Sequence, residues 1–295
     1  MPTDIAISAT HLTKDFGNNR GIFDLNIEIY RGEIFGLIGP NGAGKSTFIK
    51  LLMDLVRPTR GTAKVFGLDC QKDSIAVKKL TGYLPGESVQ FPGVTAKYVI
   101  ELLMRLRGTS DFAYMYELAE QLSVDLSRKY QDLSHGNKQK VAIIQALVHK
   151  PDLLILDEPT MGLDPLVQRE FRKIIREIAD QGRTVMLSSH VLSEVESMCG
   201  RIGLISEGRV LRVGTMSDLR TEKIHRFSIV IDGEIPDVSE IRNVGVEEIV
   251  FEDGVLHVGV RGPVTEFLNL ISKYKVVELD SNEISLEEVF LAEVG

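Results

Sequence analysis

Cysteine is almost absent from this chain of 295 residues: Cys70 and Cys199 lie far apart, and neither has a neighbour at metal-ligand spacing. That arrangement excludes a disulfide framework and a cysteine metal site, and it fits reduced thiols in a cytosolic protein. Long hydrophobic runs are missing too. No stretch approaches the roughly 18 consecutive apolar residues of a membrane span, and Met1-Pro2-Thr3-Asp4 lacks the basic and apolar pattern of a signal segment. The expectation is a chain that neither enters nor crosses a bilayer by itself. Lysine and arginine nowhere form a long cluster, and the net charge is −8, which weighs against nucleic acid as a partner and reads as a solubility feature. The length suffices for a full core and suggests one large domain and one small one.

What the chain does have is a phosphate cradle. Gly39-Pro40-Asn41-Gly42-Ala43-Gly44-Lys45-Ser46-Thr47 fits G-x-x-x-x-G-K-[ST], after an apolar strand expected at 34–38 and before a helix expected at 48–54. Glycines at 39, 42 and 44 allow positive φ and remove Cβ atoms, so consecutive N–H groups can turn inward around a phosphate chain. Lys45 adds a point charge for the β/γ-phosphates, and the Ser46 hydroxyl suits Mg²⁺.

Before this loop, residues 5–12 and 25–29 alternate apolar with polar and read as half-buried strands of an antiparallel flap, separated by Gly17-Asn18-Asn19-Arg20-Gly21. Phe16, just ahead of that turn, is either a core side chain or a ring available to stack on a base. After the loop come a turn at 57–62, a short strand at 63–66 and another at 80–84. From Val94 to about Val148 the pattern is helical, with Val99, Leu102, Leu103 and Leu106 on one stripe and Leu118, Ala119 and Leu122 on another. Ser110 or Asp111 is available as the cap between them.

Leu153-Leu154-Ile155-Leu156 suits a strand covered on both faces, and it ends in Asp157-Glu158. The strand's carboxyl end is where ligands of open α/β sheets bind, and two adjacent acids there call for a cation or polar partners. A helix at 167–179 and a strand at 184–187 follow, the strand running into Ser188-Ser189-His190. That places His190 at the same sheet edge as the acidic pair. Beyond about residue 220 the order strand, short helix, hairpin, helix, strand predicts a small ferredoxin-like α+β unit over 221–295, with a last helix at 286–292.

The order of these motifs resembles the nucleotide-binding subunit of ABC transporters over roughly residues 1 to 220. Gly39 to Thr47 matches that family's Walker A motif, Leu153 to Glu158 its Walker B, Gly162-Leu163-Asp164 its D-loop and His190 its switch histidine. Phe16 sits where the family carries an aromatic that stacks on adenine. Leu133-Ser134-His135-Gly136-Asn137 falls where the family has its LSGGQ signature, with His135 for the first glycine of the pair and Asn137 for glutamine. His135 is then either a harmless outward side chain or a group that tunes activity with pH. Gly86-Glu87 follows Tyr83-Leu84-Pro85 where the Q-loop glutamine belongs, leaving Glu87, Gln90 or no residue to make its contact.

The resemblance implies an α/β P-loop NTPase core with an antiparallel β flap and a helical subdomain at about 94–150, the whole forming an ATP-binding domain over 1–220. It implies ATP and Mg²⁺ as cofactors, with Gly39, Asn41, Gly42, Ala43, Gly44, Lys45, Ser46 and Thr47 around the phosphates and Ser46 and Asp157 on the metal. Glu158 would activate water, with His190 and Lys45 at the γ-phosphate. Ser134 and Gly136 would cap the nucleotide of a second copy, or of a homologous subunit, in a head-to-tail dimer. The similarity extends, through Leu286-Glu287-Glu288-Val289-Phe290-Leu291, to ATPase subunits of bacterial ABC-2-type exporters, so integral membrane permease subunits are implied as partners at the inner face of the cell membrane. The loop at 85–93 would receive a short permease helix, and the tail would regulate, stabilise the dimer or simply pack. The rival reading is a soluble ABC-type ATPase acting as a regulator or on ribosomes, although those that act on ribosomes usually carry two such domains in tandem.

Overall fold

The computed structural model describes residues 4–86, 90–219, 224–233, 235–252 and 254–283. They fall into two compact units that divide between Gly214 and Thr215.

In the first unit β1 (Ile5–Asp15) and β2 (Gly21–Tyr30) precede β3 (Ile34–Ile38) and helix α1 (Lys45–Leu52). With β4 (Arg60–Val65) and β5 (Leu68–Asp69) they make an antiparallel sheet in the order β2-β1-β4-β5, the expected flap. Next come α2 (Ser74–Leu80), β6 (Thr81–Leu84), and the helical insert α3 (Ala96–Leu106), α4 (Ala113–Gln121) and α5 (His135–Leu147). The chain then alternates through β7 (Leu153–Asp157), α6 (Pro165–Asp180), β8 (Thr184–Ser189), α7 (Leu192–Met198), β9 (Arg201–Ser206) and β10 (Arg209–Thr215). The second sheet runs β10-β9-β3-β8-β7-β6, parallel from β9 to β6.

Every residue of β7 and of β8 is buried, as an apolar run covered on both faces should be. Phe48, Ile49 and Leu52 of α1 share one core with Ile7, Leu25 and Val65 of the flap and Phe35 and Leu37 of β3. A fully buried side chain of that size is worth about 1.5–3 kcal/mol. Three of them on a helix of only eight residues anchor what intrinsic propensity could not hold.

The second unit contains α8 (Met216–Leu219), β11 (Ile224–Ile231), α9 (Val238–Asn243), β12 (Val246–Glu252), β13 (Val255–Arg261), α10 (Thr265–Ile271) and β14 (Val276–Glu283). Its antiparallel sheet runs β12-β13-β11-β14, and with α9 and α10 the elements follow the βαββαβ order read from the sequence. Phe227 and Phe267, ring centroids 5.2 Å apart, join sheet to helix in a core of its own. The helix expected at 286–292 lies outside the described residues.

Four local expectations need correction. Of the stripe expected on α3 only Val99 is buried, because the face that packs is Ala96, Val99, Ile100 and Met104, which leaves Leu102, Leu103 and Leu106 exposed. Helix α1 begins at Lys45 rather than Phe48, because Gly44 takes the left-handed capping conformation and the cradle's last residues are themselves the first turn. Leu80 closes α2 instead of opening a strand; that helix buries only Val77 and so lacks a periodic stripe to betray it. Phe112, not Ser110 or Asp111, occupies the capping position of α4, although the Asp111 carboxylate does accept the Ala113 N–H at 3.1 Å.

The helical insert is fastened to the sheet around Thr81. The guanidinium of Arg107 donates to the carbonyls of Lys78, Lys79 and Thr81, each at 3.4 Å, and His149 Nε2 lies 3.3 Å from the Thr81 carbonyl. Burial pushes the His149 imidazole down to about 4; the Arg107 charge acts the same way and the Thr81 hydrogen bond opposes both. The unfolded chain takes up this proton near the ordinary value of about 6.5, well before the folded chain does, so stability is lost as pH falls from there toward about 4. Urea unfolding at pH 7 and pH 5 should show a drop that His149→Phe shrinks by on the order of 1 kcal/mol, after allowance for the ring's partial exposure. An identical drop in both proteins would contradict the assignment.

Candidate active site

Strands β3, β7 and β8 are neighbours in the parallel sheet, and the segments leaving their carboxyl ends form the site. From β3 the chain enters the 39–44 loop, whose first residue is tied to β8 by Gly39 N–H donating to the Ser189 carbonyl at 3.4 Å. The glycines there answer different needs. A Cβ on Gly39 would fall 2.1 Å from the Ile205 carbonyl oxygen, and one on Gly44 2.8 Å from Ile22 Cγ2. Gly42 has open space around it but a φ of +85°, so its constraint is torsional. Gly44 offers no side-chain cap to α1, which leaves the N–H groups of Lys45, Ser46 and Thr47 at the helix end for an anion.

Lys45 is 5% exposed. Its Nζ donates to the Gly39 carbonyl at 2.6 Å and the Pro40 carbonyl at 3.2 Å, and lies 3.4 Å from Glu158 Oε1. The other carboxylate oxygen of Glu158 is 2.9 Å from His190 Nδ1, so one carboxylate bridges a buried ammonium and a half-exposed imidazole. Glu158 itself has a φ of +50°, with its N–H donating to the carbonyl and the hydroxyl of Ser188, both at 3.2 Å. Asp157, 2% exposed, accepts the Ser188 hydroxyl at 2.5 Å. A Cβ on Gly86 would come within 3.1 Å of the other Asp157 oxygen, so the backbone approaches closely at the position where a glutamine was looked for.

The structure thus brings Lys45, Glu158 and His190 together and sets Asp157 beside them on β7. Asn41 and Ser46 are exposed at the loop and α1, while Ala43 is buried under the loop. Phe16 is 48% exposed at the end of β1, with Lys14 Nζ 5.1 Å over its ring, so of its two readings the core one is wrong. Ser134 caps α5, accepting the Asn137 N–H at 3.3 Å; Gly136 follows in the first turn and packs on Gly162. Ser188 and Gln139 were missed. Ser188 pairs with Asp157 across β7 and β8, a register that sequence alone does not reveal. Among the described residues no three His, Cys, Asp or Glu side chains form a metal-holding group. One carboxylate and one hydroxyl beside a phosphate cradle is the donor set that Mg²⁺ shares with phosphate oxygens and water.

This fold and site define a P-loop nucleotide-binding protein. The sequence profile described as ABC transporter matches residues 22–161. The probable multidrug ABC transporter ATP-binding protein YbhF of Escherichia coli (strain K12) is 37% identical over 226 residues, 75% of this chain but only 39% of that relative's length. The bacitracin transport ATP-binding protein BcrA of Bacillus licheniformis is 31% identical over 98% of this chain and 97% of its own. A solved structure described as the ATP binding subunit of an ABC transporter superposes with a TM-score of 0.68 at 31% identity, covering 73% of this chain and 92% of that one. The chain belongs to the ABC transporter family, among its ATP-binding proteins.

Lys45→Ala should leave the fold intact by circular dichroism while weakening ATP in an equilibrium titration by roughly 1.5–3 kcal/mol, the range for a hydrogen bond to a charged group. Unchanged affinity would remove Lys45 from the phosphate site.

Proposed function

We propose that the chain is the ATP-hydrolysing subunit of an exporter whose pore is formed by separately encoded membrane subunits. The observation that carries the catalytic half is the Glu158 carboxylate held between Lys45 and His190, at 3.4 and 2.9 Å. In phosphoryl transfer the protein contributes mainly positioning and charge stabilisation. Lys45 and the amides of 39–47 hold the phosphates; Glu158 orients and accepts a proton from the attacking water; His190, fixed by its bond to Glu158, meets the γ-phosphate. Ser46 and Asp157 would hold Mg²⁺, which would supply charge neutralisation for the phosphates. Phe16, with its exposed ring, stacks on the adenine.

The tip of α5, Ser134 to Gly136, closes over the nucleotide of a second copy or of a homologous subunit in a head-to-tail pair. A capped helix end with an exposed serine is suited to that, since its amides and dipole favour phosphate. The first unit is the ATP-binding domain, and the ferredoxin-like unit is an accessory one. No helix among the described residues is long and apolar enough to cross a membrane, so the pore is assigned to another chain. Likeness to BcrA, a bacitracin transport ATP-binding protein, over almost the full length of both chains supports a transport role, and the proposal places the protein in the cytoplasm at the inner face of the membrane. Recovery of the protein with ribosomes rather than with a membrane protein would favour the soluble alternative.

Glu158→Gln should keep ATP binding and lose roughly 10²-fold or more of turnover, the scale of a positioned general base. Near-normal phosphate release from that variant would refute the role given to Glu158.

A further inference from the structure

Helix α5 grips the turn that carries Glu158, apart from anything its tip does. Gln139 is 4% exposed, and its Nε2 donates to the Pro159 carbonyl at 3.0 Å and to the Glu158 carbonyl at 3.4 Å. Glu158 sits at φ +50°, a conformation that a non-glycine residue keeps only when its surroundings hold it. Ser188 takes its N–H from one side and Gln139 its carbonyl from the other. One turn earlier on α5, Gly136 meets the far end of the same turn: a Cβ there would lie 2.8 Å from the Gly162 carbonyl oxygen. His135 fills the remaining space, since a Cβ on Gly162, at φ +77°, would lie 2.7 Å from His135 Nδ1. Positions 135, 136 and 139 share one helix face by their spacing, and that face holds the 158–162 segment at both ends.

We infer that Gln139 is a positioning residue for Glu158, and that the first turns of α5 and the 158–162 turn behave as one block. The buried amide fixes the two peptide carbonyls from which the Glu158 side chain is aimed, and the same helix carries Ser134. The tip offered to a neighbouring subunit's nucleotide and the carboxylate serving the chain's own are therefore joined inside one protomer. His135, exposed but seated over Gly162, is a spacer in that joint rather than a free surface side chain.

The inference rests on the reading of Glu158 as base, and the test separates the two. Single-turnover ATP hydrolysis and equilibrium ATP binding are measured on the full chain as wild type, Gln139→Met, Glu158→Gln and the double variant. Gln139→Met, close in volume but unable to donate, should lower the rate roughly 10- to 100-fold with ATP affinity within about threefold, because a small misplacement of a reacting group costs that much. In the Glu158→Gln background the added loss should shrink to less than about threefold, since the group being positioned is no longer a base. Equal losses in both backgrounds, or no loss in the single variant, would overturn the role of Gln139. Normal turnover of Glu158→Gln alone would overturn the base assignment, and this inference with it. Should Gln139→Met fail to fold, Gln139→Leu, which also cannot donate to the two carbonyls, takes its place. The same pattern of losses is expected of it, and wild-type turnover would count against the clamp.

Discussion

An ammonium group removed from water must be met by oxygen, and in this protein that requirement is satisfied at Lys45 by two loop carbonyls and the Glu158 carboxylate. Both carbonyls follow β3 and the carboxylate follows β7, with β8 between them, so the pairing holds only if β3, β8 and β7 stand side by side. The sheet order is thus inseparable from the site. Phosphate oxygens are acceptors of the same kind as those carbonyls and that carboxylate.

Glycines under two kinds of constraint support that arrangement. At 39 the neighbouring backbone leaves no room for a side chain and at 42 the torsion alone is the constraint, while at 44 and 162 a close neighbour and a positive φ act together. Gly86 and Gly136 belong with the first kind, because each lets one backbone approach a functional group on another. Close approach replaces reach: where a long polar side chain was looked for at 86, the chain instead brings its main chain toward Asp157. The same economy operates at the α5 tip, where Gly136 and Gly162 allow a helix end and a turn to touch.

Much of this architecture was legible in the residue order. The apolar runs of β3, β7 and β8, the cradle between 39 and 47 and the βαββαβ pattern of the tail are local signals, carried by periodicity and by glycine chemistry. Helix α2 was not legible, since a seven-residue helix burying one valine has no period to detect. Ser188 read only as the end of a strand, and Gln139 as one polar residue in a helix after the signature. Their roles depend on partners about 20 and 30 positions away in the chain.

The sequence by itself determined that a glycine-rich loop of the cradle pattern joins an apolar strand to a helix, and that acids and a histidine end apolar strands. Those are properties of short stretches, dictated by sterics and hydrogen-bonding capacity. Only the tertiary structure decided that Glu158 lies between Lys45 and His190, that Ser188 serves both acids, and that α5 holds the turn behind the carboxylate. These depend on strand order and on interatomic distances of a few ångströms, which arise when the sheet assembles and which no local pattern encodes.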